Sequence, residues 1–263
     1  MANTTHWISF GLFLLAFALA WLPMWVSIPL PGKAGWPEAA LVLAAMITTL
    51  VSLSRQLPAQ NVMLAAAGIA FIAGVVEGIG VKTAIPFGPF TYTDEAGPQV
   101  LSVLPWPVPL LWVVAILNSR GVARLILRPW RKLRTYGYWL IGLTAALTVV
   151  FDLGLEPFAS RVKLYWIWIP TKFPLTWYGA PLVNSLGWLL AALLILAFVT
   201  PALINKQQRQ AKRAPDYFPL IVWLLANGLF ATGAVAHQLW PAAGYSFAAS
   251  VLATVFAIRG ARW

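Results

Sequence analysis

Apolar residues fill this chain in long blocks, separated by short polar or proline-rich breaks. A membrane-crossing helix needs about 20 mostly apolar residues. The blocks predict eight such helices, near residues 7–28, 37–54, 61–81, 100–119, 136–153, 178–203, 217–239 and 242–259. Only a tight turn at Pro241 divides the last two. The predicted fold is all-α, a polytopic membrane helix bundle. The blocks leave no room for a separate soluble domain, so residues 1–263 are expected to form a single membrane domain.

Composition agrees with lipid as the solvent. Of the 263 residues, 60% are hydrophobic and only 10% charged, where soluble domains carry about 25% charged residues. Mean hydropathy is +0.78. The first block, Trp7 to Val26, has no basic residue before it and runs into Pro23, Pro29 and Pro31. A signal peptide needs a basic start and a small-residue cleavage site, so this block is expected to be the first membrane helix.

The formal net charge of +11 could suggest nucleic acid, but its distribution points to topology. Arg55, then Arg120, Arg124, Arg128, Arg131, Lys132 and Arg134, then Lys206, Arg209, Lys212 and Arg213, then Arg259 and Arg262 fall on one set of connections. These are 13 of the 18 basic residues; Lys33, Lys82, Arg161, Lys163 and Lys172 make up the opposite set. Basic loops face the cytoplasm. The expectation is a protein of the cytoplasmic (inner) membrane with both termini inside, in contact with anionic lipid and not with nucleic acid. The two long non-cytoplasmic connections, 82–99 and 154–177, are rich in aromatics and poor in charge. Irregular backbone of that composition suits the interface or the wall of a cavity.

Cysteine is absent and histidine occurs only at positions 6 and 237. That argues against iron–sulfur or haem-thiolate chemistry and against a multi-histidine metal site. Gly74-Val75-Val76-Glu77-Gly78-Ile79-Gly80 has the wrong glycine spacing for a dinucleotide fingerprint and closes an apolar helix instead of following a strand. No cofactor and no metal are expected.

Seven acidic residues occur. Glu38 at a helix start and Asp216 beside a basic loop have electrostatic explanations, and Asp94 and Glu95 lie in a connection. Glu77, Asp152 and Glu156 remain, at the non-cytoplasmic ends of the third and fifth helices. A carboxyl at membrane depth is costly and marks a functional site by default. Glu77 continues a small-residue stripe of Ala67, Ala70, Gly74 and Gly78, which would turn it toward a neighbouring helix; a buried interhelical hydrogen bond is the plainer role. Asp152 and Glu156 share a face if the helix persists, although Pro157 disfavours helix at Glu156. The plainer role for that pair is contact with Arg161 or Lys163. Asn184 and Trp188 form a second i, i+4 pair, where Asn184 either orients a carboxyl or joins helices. A carboxyl in an apolar site holds its proton to higher pH than in water, and aromatic faces stabilise cations. Together they suit protonation of an alkene and handling of the carbocation.

The ordered set Glu77-x-x-Gly80, Phe87-Gly88-Pro89-Phe90-x-Tyr92, Pro105-Trp106, Asp152-x-x-x-Glu156-Pro157, Trp166-x-Trp168 and Tyr178-Gly179-x-Pro181-x-x-Asn184-x-x-Gly187-Trp188 resembles the membrane carotenoid-biosynthesis family, whose characterised members include carotenoid 1,2-hydratases. The resemblance covers roughly residues 70–190. It implies a cofactor-independent hydro-lyase acting on the terminal double bond of an acyclic carotenoid. Asp152 or Glu77 would protonate the alkene. The other carboxyl, with Glu156 and Asn184, would complete the catalytic set and orient water. Phe87, Phe90, Tyr92, Trp106, Trp166, Trp168, Tyr178 and Trp188 would bind substrate, with Trp106, Trp168 and Tyr178 facing the cation. Three alternatives stay open: a cyclase using the same protonation, a polyprenyl-diphosphate transferase, and a non-catalytic carotenoid-binding or transport protein. The transferase would need two carboxylate clusters for Mg²⁺, and only Asp152 with Glu156 could supply one.

Overall fold

The computed structural model describes residues 2–26, 35–172, 175–204 and 214–263. Lys33, Lys206, Arg209, Lys212 and Arg213, counted above in the charge asymmetry, lie outside the described residues. Among the described residues, eight helices are long and apolar enough to cross a membrane: α1 (Ala2–Trp21), α2 (Trp36–Ser54), α3 (Ala59–Thr83), α4 (Pro107–Ile126), α5 (Tyr136–Pro157), α6 (Leu182–Val199), α7 (Phe218–Ala236) and α8 (Trp240–Ala261). The protein is a polytopic helical bundle, as the apolar blocks predict. α4 is its centre and packs on α2, α3, α5, α7 and α8. Phe71, Phe198 and Phe247 point outward, 72%, 69% and 70% exposed, as side chains in contact with lipid would.

Several boundaries differ from the sequence reading, each for a local reason. The fourth helix begins at Pro107, not near residue 100. Proline suits a first helical turn, since its missing N–H has no partner to lose there. The preceding apolar residues form a small antiparallel pair, β2 (Gln99–Val100) with β3 (Leu104–Pro105). Arg120 and Arg124 therefore lie inside α4 and not in the following loop. The sixth helix begins at Leu182 instead of residue 178. Tyr178 and Gly179 form the turn between β5 (Thr176–Trp177) and β6 (Ala180–Pro181), with φ of 52° and 100°. Two positive φ values in a two-residue turn match the twist of a hairpin. The α7–α8 turn falls at 237–239, and Pro241 sits in the first turn of α8.

The fifth helix runs past residue 153 through Glu156, against the expectation from Pro157, and continues as a π-helical turn over Phe158–Val162. Pro157 has no N–H for the Leu153 carbonyl four residues back. The Trp177 indole Nε1 donates to that carbonyl at 2.8 Å, so the freed acceptor is satisfied from the next connection.

The two aromatic connections meet at one end of the bundle. β1 (Phe90–Tyr92) pairs antiparallel with β4 (Trp166–Trp168), placing Phe90 opposite Trp168 and Tyr92 opposite Trp166. Successive strand residues face opposite sides. Thr91 and Ile167 point out, while all four aromatics point inward over the ends of α3 and α5.

Candidate active site

Glu77 stands on the buried face of α3, 5% exposed. That face runs through Val62, Ala66, Ile69, Ala73 and Gly80. It is rotated from the expected stripe, for Ala67 is exposed. Trp112 of α4 donates its Nε1–H to Glu77 Oε1 at 2.9 Å, and the Tyr92 hydroxyl donates to Oε2 at 3.1 Å. Burial, and then the Glu77 and Glu156 carboxyls nearby, hold the Tyr92 phenol well above the usual tyrosine range. Tyr92 therefore remains a donor at any working pH. Trp188 of α6 lies flat against Trp112, with ring centroids 3.9 Å apart and planes at 15°.

Glu156 is carried one turn beyond Asp152 on α5, and both are buried. The Trp166 and Trp168 indoles donate to Glu156 Oε1 at 3.0 and 2.5 Å. Two residues apart on β4, the indoles share a face, and both nitrogens reach the same oxygen. Asn184 of α6 donates Nδ2–H to Asp152 Oδ2 at 3.1 Å, while Asp152 Oδ1 is buried with no hydrogen-bond partner among the described residues. The basic partners considered for this pair are engaged elsewhere. Lys163 pairs with Glu38, and Arg161 Nε donates to the Tyr178 carbonyl at 2.9 Å.

Glu77, Glu156 and Asn184 line one cavity of about 30 Å³. That is roughly the liquid volume of a water molecule, enough to hold one where polar partners are present. Its walls include Phe87, Phe90, Tyr92, Trp112, Trp166, Trp168 and Trp188. Phe87 is fixed by two close approaches. A Cβ on Gly80 of α3 would lie 2.7 Å from its ring, and one on Gly187 of α6 would lie 2.8 Å from the other edge. An apolar cavity of about 100 Å³ adjoins this one and shares Val108, Leu111 and Trp166 with it.

Three expected placements differ. Asp152 is not part of the cavity wall and meets Asn184, which is. Tyr178 does not line the cavity: its hydroxyl accepts from the Ala242 backbone N–H at 3.3 Å, packed toward the α7–α8 turn. Trp106 stands at the N-terminus of α4, also outside the cavity wall, and its backbone N–H donates to the Pro98 carbonyl. In the opposite direction, Trp112 was missed. It lies inside an apolar run, and the only hint in the sequence was that a buried Glu77 would need donors from a neighbouring helix.

These features define a class: a polytopic membrane helix bundle with a small carboxyl-bearing, aromatic-walled cavity toward one end. The chain belongs to the carotenoid biosynthesis protein family, whose sequence profile matches residues 37–253. A bisanhydrobacterioruberin hydratase from Haloarcula japonica is 32% identical over 130 residues, which is 48% of this chain and 42% of that protein. The matched stretch thus spans less than half the length of the relative. No solved structure matches the chain.

Proposed function

We propose that this chain is a carotenoid-modifying enzyme, a hydro-lyase that adds water across the terminal double bond of an acyclic carotenoid end group. The observation that carries this reading is the cavity on which Glu77 and Glu156 both open, each held by indole N–H donors and surrounded by aromatic rings. Family membership and the hydratase relative agree with it.

Glu156 is the proton source. Its Oε1 accepts both indole N–H groups, which leaves Oε2 to carry the proton. Transfer of that proton to the less substituted alkene carbon leaves a tertiary cation on its neighbour. The ring faces of Trp168, Trp112 and Trp188 stabilise such a charge. Glu77, fixed by Trp112 and Tyr92, orients a water molecule whose oxygen lone pair forms the new C–O bond. The proton lost by that oxygen passes to the carboxylates and restores the acid. The net change is one water added, with no oxidation or reduction. Asp152 acts through Asn184, holding the amide at the cavity wall. The neighbouring apolar cavity offers a surface for the hydrocarbon chain.

The basic end of the bundle faces the cytoplasm of the inner membrane, with both termini inside, so the carboxyl cavity lies toward the opposite face. The test is the pigment extract of cells producing this chain beside an acyclic carotenoid. A product heavier by one water supports hydration. An isomer of the substrate would replace it with cyclisation, in which an internal alkene captures the cation. Unchanged pigment would reject both.

A further inference from the structure

At the end of the bundle away from the carboxyls, a concavity of about 990 Å³ opens between the last turns of α2 and α4 and the first turn of α7. Arg55, Arg120, Arg124, Arg128 and Arg131 line it, against a single carboxylate, Asp216, among the described residues. Asp216 is already committed. It accepts from the Phe218 backbone N–H at 3.1 Å, and from Gln56 Nε2, at the start of α7. Among the described residues no carboxylate forms an ion pair with Arg55, Arg120, Arg124 or Arg131.

Basic residues that only set topology need to be no more than solvated near the membrane surface. Arg120 differs. It lies within the α4 span and is only 7% exposed. One of its five donors goes to the Leu203 carbonyl at 3.0 Å. Burying a charge is costly without a counter-charge. Arg124 stands one turn further along the same face, and like charges at i, i+4 destabilise a helix. A Cβ on Gly121 between them would lie 2.2 Å from Pro219, so α4 and α7 are closely packed beside the two arginines. The arrangement is one that an anion would relieve. Planar guanidinium forks match the oxygens of phosphate, singly or in pairs.

We propose that this concavity binds a phosphate-bearing anion, either a soluble phosphate or diphosphate or the headgroup of an anionic phospholipid. The site is separate from the carboxyl cavity and does not depend on the reaction performed there. The full chain is placed in phosphatidylcholine nanodiscs, and its thermal midpoint is followed as inorganic pyrophosphate is titrated at constant ionic strength. In a second arm the nanodiscs contain phosphatidylglycerol. A rise with pyrophosphate identifies a soluble ligand; a rise with phosphatidylglycerol alone identifies a headgroup. Arg124→Gln with Arg131→Gln removes two exposed arginines of the wall and is expected to weaken the response at least about tenfold. Lys132→Gln with Arg134→Gln removes two charges from the adjoining α4–α5 connection but outside the wall, and should leave the response intact. No rise in either arm would overturn the proposal, and so would equal loss in both double variants.

Discussion

At the scale of single residues, the site rests on indole N–H groups that satisfy buried carboxyl oxygens. Trp112→Phe keeps most of the ring but removes the donor to Glu77 Oε1. A buried acceptor left unsatisfied costs about 1–3 kcal/mol. The variant is expected to unfold at lower temperature, and turnover should fall with it; Trp25→Phe, half exposed and away from the cavity, should match wild type in both assays. Glu77, Asp152 and Glu156 were legible in the sequence because a carboxyl at membrane depth is rare and expensive. Trp112 was not, for the opposite reason. It is one of 15 tryptophans, and apolar surroundings do not reveal which indole meets a carboxyl. The rotated face of α3 has the same origin. Small residues occur on several sides of that helix, and only packing decides between Ala66 and Ala67.

At the scale of elements, the cavity depends on how the two aromatic connections are pinned over α3, α5 and α6. Gly187 permits the closest approach. An added Cβ would meet the Phe87 ring at 2.8 Å and the Pro86 carbonyl oxygen at 2.9 Å. Gly187→Ala is therefore expected to cost about 1–3 kcal/mol through overpacking and to displace Phe87 from the wall. Gly228, inside α7, has nothing within 4 Å of an added Cβ. Gly228→Ala should stabilise by about 0.5–1 kcal/mol through helix entropy. Thermal midpoints of the two variants in nanodiscs should thus move in opposite directions. The sequence placed both connections at the same end and described their aromatic character. It did not reveal that Phe-Thr-Tyr and Trp-Ile-Trp pair as strands. The alternation is visible in each, but three residues are too few to separate a strand from an irregular segment. The continuation of α5 past Pro157 was likewise hidden, because the partner that makes it tolerable, Trp177, lies in a different connection.

For the whole molecule, eight crossings would put both chain ends on one side, and the proposed orientation, taken from the basic asymmetry, makes that side cytoplasmic. The chain has no cysteine, so single cysteines report topology without background. Trp130→Cys and Leu164→Cys use positions 53% and 52% exposed at opposite ends of the bundle. Position 164 should react with a membrane-impermeant maleimide in intact cells, and position 130 only after permeabilisation. The reverse pattern would place the carboxyl cavity toward the cytoplasm. The bundle and its helix number were legible because lipid imposes length and apolarity on each crossing. The centrality of α4 was not, since three-dimensional order in a bundle leaves little trace in hydropathy.

In the proposed mechanism a protein carboxyl starts the reaction and water ends it. Its most direct measurement is the mass of the product made by purified protein in nanodiscs from an acyclic carotenoid in ¹⁸O-labelled water. Wild type is expected to yield a product heavier by one labelled water. Glu156→Gln keeps the size of the side chain but removes the acid, and product formation should fall at least about 100-fold while the thermal midpoint still reports a folded protein. A folded Glu156→Gln variant that forms labelled product at the wild-type rate, or a wild-type product without the label, would contradict the mechanism.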